Sequence, residues 1–383
     1  MNGDGSEVNI WDPTVPVEEN PSYWRGDPIL SPASLTLNSQ PKVVELFCGL
    51  GGLSQGFIQA GFQLLLGADI HQPSIRSYNI NHPDVATILG DLRKVAAGSI
   101  EKATLGCGID VLVAGVPCQG FSRSNRKRHD DDERNNLFLE FMRIARFIKP
   151  RAVLIENVSS LRGTAGGAYE RAIMREIEDK LKLKAHVITL NAANFGVPQF
   201  RERVFFIGTP AKCNWRPPEA SHGPGFKNPY LTVKDAIFDL PSLDSGGSAE
   251  IYLNGPMSDF ARLLRGEERF LTNHRAPNHP EATISRIRMT LPGAAMYPRF
   301  KQRVRLHWDQ PSPTQVSGGI RAQFQFGHPA QARGLTIRER CRIQSFPDSM
   351  VVVGGLVQAR IQTGNAVPPL LAEAVARSIL QVL

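Results

Sequence analysis

From residue 42 onward the chain alternates short apolar runs with amphipathic stretches. VVELF (43–47), FQLLLGADI (62–70), VATILGD (85–91), DVLVAGV (110–116), RAVLIENV (151–158), HVITLNA (186–192) and RVFFIGT (203–209) are aliphatic or β-branched runs of strand length. Near-continuous apolarity of this kind reads as strands buried on both faces, as in a parallel sheet. NNLFLEFMRIARFI (135–148) and YERAIMREIEDKLKL (169–183) instead space apolar residues three and four apart, the helical period. The alternation predicts an α/β fold, a doubly wound and mostly parallel Rossmann-like sheet with helices on both faces. A last helical pattern, PLLAEAVARSILQVL (369–383), is expected to pack back on that sheet. Between roughly residues 210 and 335 the pattern weakens and Pro, Gly, Arg and His accumulate, which predicts a smaller, loop-rich second domain. Residues 1–41 are rich in Pro, Ser, Asn and acids, with little periodicity. They read as a loosely attached, partly disordered extension. The expected division is therefore 1–41, a main domain from 42–244 and 350–383, and a second domain from 245–349.

Composition narrows the class. A length of 383 residues accommodates one large domain and a smaller one, and 42% hydrophobic with 21% charged residues is ordinary for a globular protein. No apolar run reaches membrane-spanning length, and the N-terminus lacks the basic start and apolar core of a signal peptide. Cysteines at 48, 107, 118, 213 and 341 form no CxxC pair, so neither a disulfide framework nor a zinc site is expected. A reducing compartment is the expectation: the cytoplasm, beside the nucleoid, or the nucleus in a eukaryote.

The net charge of +8 is uneven. Residues 1–41 carry six acids against Arg25 alone, a charge of −5 that leaves +13 on the remainder. Within residues 262–305 there are ten Lys or Arg and three acids. A basic body fits a polyanionic partner, nucleic acid first, although a solvated basic face has the same composition.

The most informative stretch is GVPCQGFS (115–122). A lone cysteine is by default a small buried hydrophobe. Cys118, however, follows a proline at the end of a predicted buried strand, where open α/β sheets gather ligands and chemistry. Pro117 fixes its own φ and pushes Val116 toward extended geometry, which aims the thiol. A held and reachable thiolate is a strong nucleophile. The other distinctive residues fall at neighbouring strand ends: FCGLGGLSQGF (47–57) after the first, Asp69 after the second, Asp91 after the third and Glu156 near the end of the fifth. In a parallel sheet these share one rim with Cys118. Glycines let backbone approach a ligand, and an acid at a strand tip accepts from ribose hydroxyls. Glu156 ends an apolar run, so burial raises its pKa, and a protonated carboxyl can donate to a ring nitrogen. The Gly-rich turn has neither GxGxxG nor GxxxxGK[ST] spacing, which disfavours a dinucleotide dehydrogenase and a P-loop enzyme.

Taken in order, these blocks resemble those of DNA cytosine-5 methyltransferases of the short, stand-alone bacterial type, over residues 43 to about 379. VVELFCGLGGLSQGF is similar to that family's first cofactor motif, and PCQ to its nucleophile motif. ENV (156–158) is similar to its acid motif and the RxR of QFRERVFFIG (199–208) to its arginine pair. LTIRERCRIQSFPD (335–348) and GNAVPP (364–369) resemble its last two motifs. The resemblance implies that Phe47, Gly49, Leu50 and Gly51 line a site for S-adenosylmethionine, with S-adenosylhomocysteine as product. It implies that Asp69 takes the ribose, Ile70 packs on adenine and Asp91, with Leu92 beside it, takes the adenine amine. Pro117, Asn365 and Val367 would close the pocket. Cys118 would attack cytosine C6, Glu156 would bind N3, Arg203 would hold O2 and Arg201 would brace the pair.

Double-stranded DNA is the implied partner, with the target base flipped out, since C5 of a stacked cytosine is unreachable. The polar loop 122–136 reads as a lid, with Gln119, Ser122, Arg123, Arg126, Lys127 and Arg128 near the base or its phosphates; a merely solvated loop is the alternative. The 245–349 domain would recognise target sequence, with Arg275, Arg286, Arg288, Arg299, Lys301, Arg303 and Arg305 as candidates for DNA contact. His274 and His279 lie near each other, but loop histidines are more often solvated than metal ligands, and no metal is expected. A monomer is the default expectation. Two other classes share parts of this pattern. A transfer-RNA cytosine methyltransferase shares the core motifs, but the CFT tripeptide of that branch is absent here; a non-catalytic regulator would not need Cys118, Glu156 and Arg203 together.

Overall fold

The computed structural model of the chain describes residues 22–32, 34, 36–117, 137–317 and 325–383. Cys118, Gln119, Ser122, Arg123, Arg126, Lys127 and Arg128 lie outside the described residues.

Eight strands form one sheet: β1 (Ile29–Ser31), β2 (Lys42–Leu46), β3 (Gln63–Asp69), β4 (Ala86–Leu89), β5 (Val111–Gly115), β6 (Ala152–Val158), β7 (Leu183–Asn191) and β8 (Glu202–Pro210). Their spatial order is β1-β4-β3-β2-β5-β6-β8-β7. The five from β4 to β6 are mutually parallel. The sheet is not parallel throughout: β8 runs antiparallel between β6 and β7, and the edge strand β1 runs antiparallel to β4.

Helices cover both faces, as the apolar runs require. Successive strand residues point to opposite sides. Val43, Val111, Val113, Leu154, Phe205 and Ile207 face α1 (Gly52–Gln59) and α2 (Gln72–Asn81), and also the C-terminal helix. Val44, Leu46, Leu112, Val153, Val204 and Phe206 face α3 (Ala97–Ala103), α4 (Leu137–Ile148) and α5 (Ala168–Leu181).

Beyond the sheet come α6 (Val233–Ile237), α7 (Asp259–Arg265), α8 (Glu281–Met289), α9 (Ile337–Ile343), α10 (Leu356–Asn365) and α11 (Pro369–Leu380). α11 returns to the sheet against α1, as expected. The second unit has a core of its own, but Val233, Ile237 and Leu240 pack in it with Phe260, Leu264, Leu306 and Ile343. A boundary at residue 244 therefore falls inside one packed core. α9 carries Arg338 and Arg342 fully buried, both paired with Asp348, and Arg342 also with Asp239.

The expectation of a loosely attached N-terminus is corrected for residues 22–31. They add strand β1 to the sheet edge and bridge Tyr23 to His71. Edge pairing works through backbone N–H and C=O groups, which leave little trace in the side-chain pattern.

Candidate active site

The first turn after β2 is built for close backbone approach. Phe47 and Gly49 sit at φ 56° and 52°, and Gly51 caps α1 at φ 85°. A Cβ on Gly52 would lie 2.0 Å from the Val367 carbonyl oxygen, so glycine there lets the chain before α11 close onto the turn. Asp69, at the tip of β3, accepts from the Gly49 N–H at 2.8 Å and the His71 N–H at 2.7 Å. Its pKa is raised, because burial outweighs those hydrogen bonds. Ile70 and Phe47 are half-buried, leaving apolar surface on the rim. Asp91 caps a one-turn 3-10 helix (Leu92–Lys94), and its carboxylate pairs with Arg93 at 2.7 Å.

Three residues expected to line this pocket do not present side chains to it. Leu50, Leu92 and Val367 are only 1%, 3% and 4% exposed and pack inward. Leu50 joins Ile337, Cys341 and Phe346 under α9; Leu92 and Val367 join the two sheet cores. Motif positions of this kind shape the backbone. Pro117 is half-buried at the end of β5, and Asn365 is exposed at the end of α10.

Glu156 stands opposite Gly115 in the parallel β5–β6 register, which puts its carboxyl beside the turn leading to Cys118. Because β8 is reversed, its first residues reach the same rim where the parallel strands end. Arg203 Nε lies 2.7 Å from Glu156 Oε1, both side chains nearly buried. Burial pushes the Glu156 carboxyl up, opposed by the charges of Arg203 and Arg201. Asn157 has a role that sequence reasoning missed. Its Nδ2 donates to the Val116 carbonyl at 3.2 Å, tying the loop after β5 to β6.

Arg201 is fully buried and makes no hydrogen bond to Glu156. It donates to the carbonyls of Gln315 (2.7 Å) and Gly364 (2.8 Å), joining the RxR segment to the end of α10. A cleft of about 510 Å³ opens beside Arg203, lined also by Ser159, Asn191, Phe200, Glu202 and Thr314. Glu45, hidden within an apolar run, was also missed. It is buried in β2, accepts from the Ser54 N–H at 2.8 Å, and is pushed up to about 8 by burial.

In the second unit Arg286 and Arg303 stack on Tyr297, at 4.6 and 5.9 Å, and Arg303 also on Phe300 at 4.8 Å. Arg288 is exposed, 4.0 Å from Glu281. Arg275, Arg299 and Lys301 are exposed. Arg305 instead donates to the carbonyls of Ile287 and Thr290 at the end of α8, which makes it a structural brace. His274 and His279 commit ring nitrogens to the fold. His274 Nε2 meets the Pro241 carbonyl at 2.9 Å, and His279 Nε2 accepts from the Gly334 N–H at 3.0 Å.

The family pattern described as C-5 cytosine-specific DNA methylase matches residues 41–381. The chain belongs to that family. Its activity is accordingly that of a DNA cytosine-5 methyltransferase. Type II methyltransferase M1.HphI of Haemophilus parahaemolyticus is 34% identical, across 88% of this chain and 86% of the relative. Type II methyltransferase M.AgeI of Thalassovita gelatinovora is 32% identical, across 88% and 99% respectively. Among solved structures, an Escherichia coli prophage chain described as a DNA modification methyltransferase superposes with a TM-score of 0.73 at 24% identity, over 89% of this chain and 99% of that one. Spodoptera frugiperda DNMT2 does so with 0.60 at 16%, over 89% and 99%; at these identities the likeness concerns the fold. The family implies use of S-adenosylmethionine. Among the described residues no helix is long and apolar enough to cross a membrane.

Proposed function

We propose that this methyltransferase acts on a cytosine flipped out of double-stranded DNA, with Cys118, Glu156 and Arg203 as its chemical machinery. The observation that carries the reading is the buried Glu156–Arg203 pair at the mouth of the β5 turn. Cytosine C5 is a poor nucleophile. A bond from the Cys118 sulfur to C6 converts the ring to an enamine and makes C5 nucleophilic. Glu156, whose carboxyl burial makes easier to protonate against the opposing charge of Arg203, donates to N3 and absorbs the developing charge. Arg203 keeps Glu156 aimed and presents its guanidinium to O2. Arg201 acts from behind as a positioning residue through Gln315 and Gly364. Loss of the C5 proton and expulsion of the Cys118 thiolate restore the aromatic ring.

The cofactor rim supports S-adenosylmethionine. From Phe47 to Ile70 the chain has no Lys or Arg, which suits a nucleoside better than a phosphate ester. Gly49 faces open space, and the Asp69 and Asp91 carboxylates sit at adjacent strand tips. Phe47, Gly49, Gly51, Asp69, Ile70, Asp91, Pro117 and Asn365 would hold it, with Leu50, Leu92 and Val367 contributing backbone. When bound, its sulfonium supplies the methyl group. Residues 42–210 with the C-terminal helix form the catalytic part in this reading, and residues 233–240 pack with the second unit. Residues 245–349 would recognise target sequence, with Arg286, Arg288 and Arg303 toward DNA. The Type II relatives favour a modification role paired with a restriction enzyme.

Duplex DNA with 5-fluorocytosine at the target tests the reading, because fluorine cannot leave as the proton does. The expected result is a covalent adduct whose peptide map ends on Cys118, lost in Cys118→Ser. An adduct elsewhere, or trapping on transfer RNA only, overturns it.

A further inference from the structure

Residues 22–31 lie outside the stretch matched by the family pattern, yet they cross the proposed adenosine end of the cofactor rim. The strap contacts that rim at two places. At the tip of β3, the Trp24 N–H donates to the Ile70 carbonyl at 2.9 Å, and the Ser22 carbonyl accepts from the Gln72 N–H at 3.0 Å. At the tip of β4, a Cβ on Gly90 would lie 2.8 Å from Pro28 Cα, so strap and strand tip are in backbone contact. Ile70 and Asp91, next to Gly90, are the residues proposed to take the adenine. Between the two contacts the Trp24 indole N–H closes the turn onto the Asp27 carbonyl at 2.8 Å.

A buried polar chain anchors the strap. Gln358 Nε2 donates to Ser22 Oγ at 2.6 Å, while Gln358 Oε1 meets His71 Nε2 at 3.0 Å. His71 Nδ1 meets Ser74 Oγ at 2.7 Å, and the His71 backbone N–H holds Asp69. Ser22, His71 and Gln358 are all buried, so these groups depend on one another for satisfaction. The network thus links Ser22, the proposed ribose acid and α10, whose last residue is Asn365.

We infer that residues 22–31 are a positioning wall of the cofactor site, holding Ile70 and the Gly90–Asp91 turn where adenine binds. The inference rests on the cofactor reading above. β1 is only three residues long and pairs on one side, so the strap gains little stability from the sheet alone. Its order and the occupancy of the site are then linked, and linkage is reciprocal.

Two measurements on the full chain test this. In hydrogen–deuterium exchange of the unmodified protein, saturating S-adenosylhomocysteine should slow exchange in the peptide covering 22–31 together with that covering 47–51. Protection of 47–51 alone overturns the inference. Protection of neither, with no calorimetric binding, overturns the cofactor reading and the inference with it. In Trp24→Ala the calorimetric Kd for S-adenosylhomocysteine should rise about tenfold or more, with the Kd for DNA unchanged. A folded Trp24→Ala that binds the compound like the parent, or loses both affinities equally, also overturns it. Should that variant melt early, the exchange experiment still decides.

Discussion

Arg203 reaches Glu156 across two antiparallel strands, its Nε 2.7 Å from Oε1, in a place where neither side chain is well solvated. Removing one partner of such a pair leaves an unmatched charge, at a cost of about 3–5 kcal/mol when the charge cannot neutralise. Arg203→Ala should therefore lower the melting temperature. The loss should shrink as pH falls, because the already raised Glu156 carboxyl then takes a proton and becomes neutral. Glu156→Gln leaves the Arg203 guanidinium, which cannot neutralise, without its carboxylate, so it should melt below the parent at every pH and lose turnover by roughly 10²–10³-fold, as expected for a group stabilising developing charge. Melting curves from pH 5 to 8 and methyl-transfer rates check both.

Glu45 makes stability depend on pH in a definable window. A carboxyl whose pKa is raised from 4.5 to about 8 on folding favours the fold at low pH and loses that advantage as pH climbs toward 8. His82, His279 and His328 act oppositely. Each is pushed down to about 4 by burial, so they cost stability as pH falls below 6.5. Between pH 6.5 and 8 the Glu45 effect stands alone among these. Glu45→Gln should flatten the decline in melting temperature over that interval; an unchanged slope would show that Glu45 titrates normally.

Arg201 is expected to matter for assembly. Replacing it with Met leaves the carbonyls of Gln315 and Gly364 without their donor, and buried unsatisfied groups cost about 1–3 kcal/mol each. Arg201→Met should lower the denaturation midpoint clearly, as read by urea titration followed by circular dichroism.

Gly52→Ala should disturb both stability and cofactor affinity. The added methyl would sit 2.0 Å from the Val367 carbonyl oxygen, so α1 and the segment entering α11 must separate. Overpacking of this kind costs about 1–3 kcal/mol. A drop in melting temperature accompanied by weaker S-adenosylhomocysteine binding is the expected outcome of thermal-shift titration.

Arg303 and Arg305 should separate in DNA binding. Arg303→Ala removes a half-buried cation stacked on Phe300, and a lost phosphate contact reduces the salt slope of binding by about 1. Arg305→Ala should leave that slope alone and loosen the end of α8, where its guanidinium holds the carbonyls of Ile287, Arg288 and Thr290. Fluorescence anisotropy at several salt concentrations distinguishes them.

Hydrophobic spacing by itself determined the seven main strands and the helices over 135–148, 169–183 and 369–383; the rim shared by the Gly-rich turn, Asp69, Asp91, the β5 turn and Glu156 followed only with a parallel sheet. Period and burial are local properties that residue types write directly into the chain. Tertiary structure alone decided the rest. The direction of β8 leaves no mark in RVFFIGT, since an apolar run packs equally well either way; its reversal is what carries Arg203 to Glu156. The inward turn of Leu50 depends on α9, which arrives from far along the chain; Leu92 packs inward with α3 and α4, and Val367 with α1 and the sheet. Glu45 was hidden in an apolar run because its partner Ser54 is supplied by α1. Residues 22–31 escaped notice because backbone hydrogen bonds, which any sequence can make, and the distant partner Gln358 hold them at the rim.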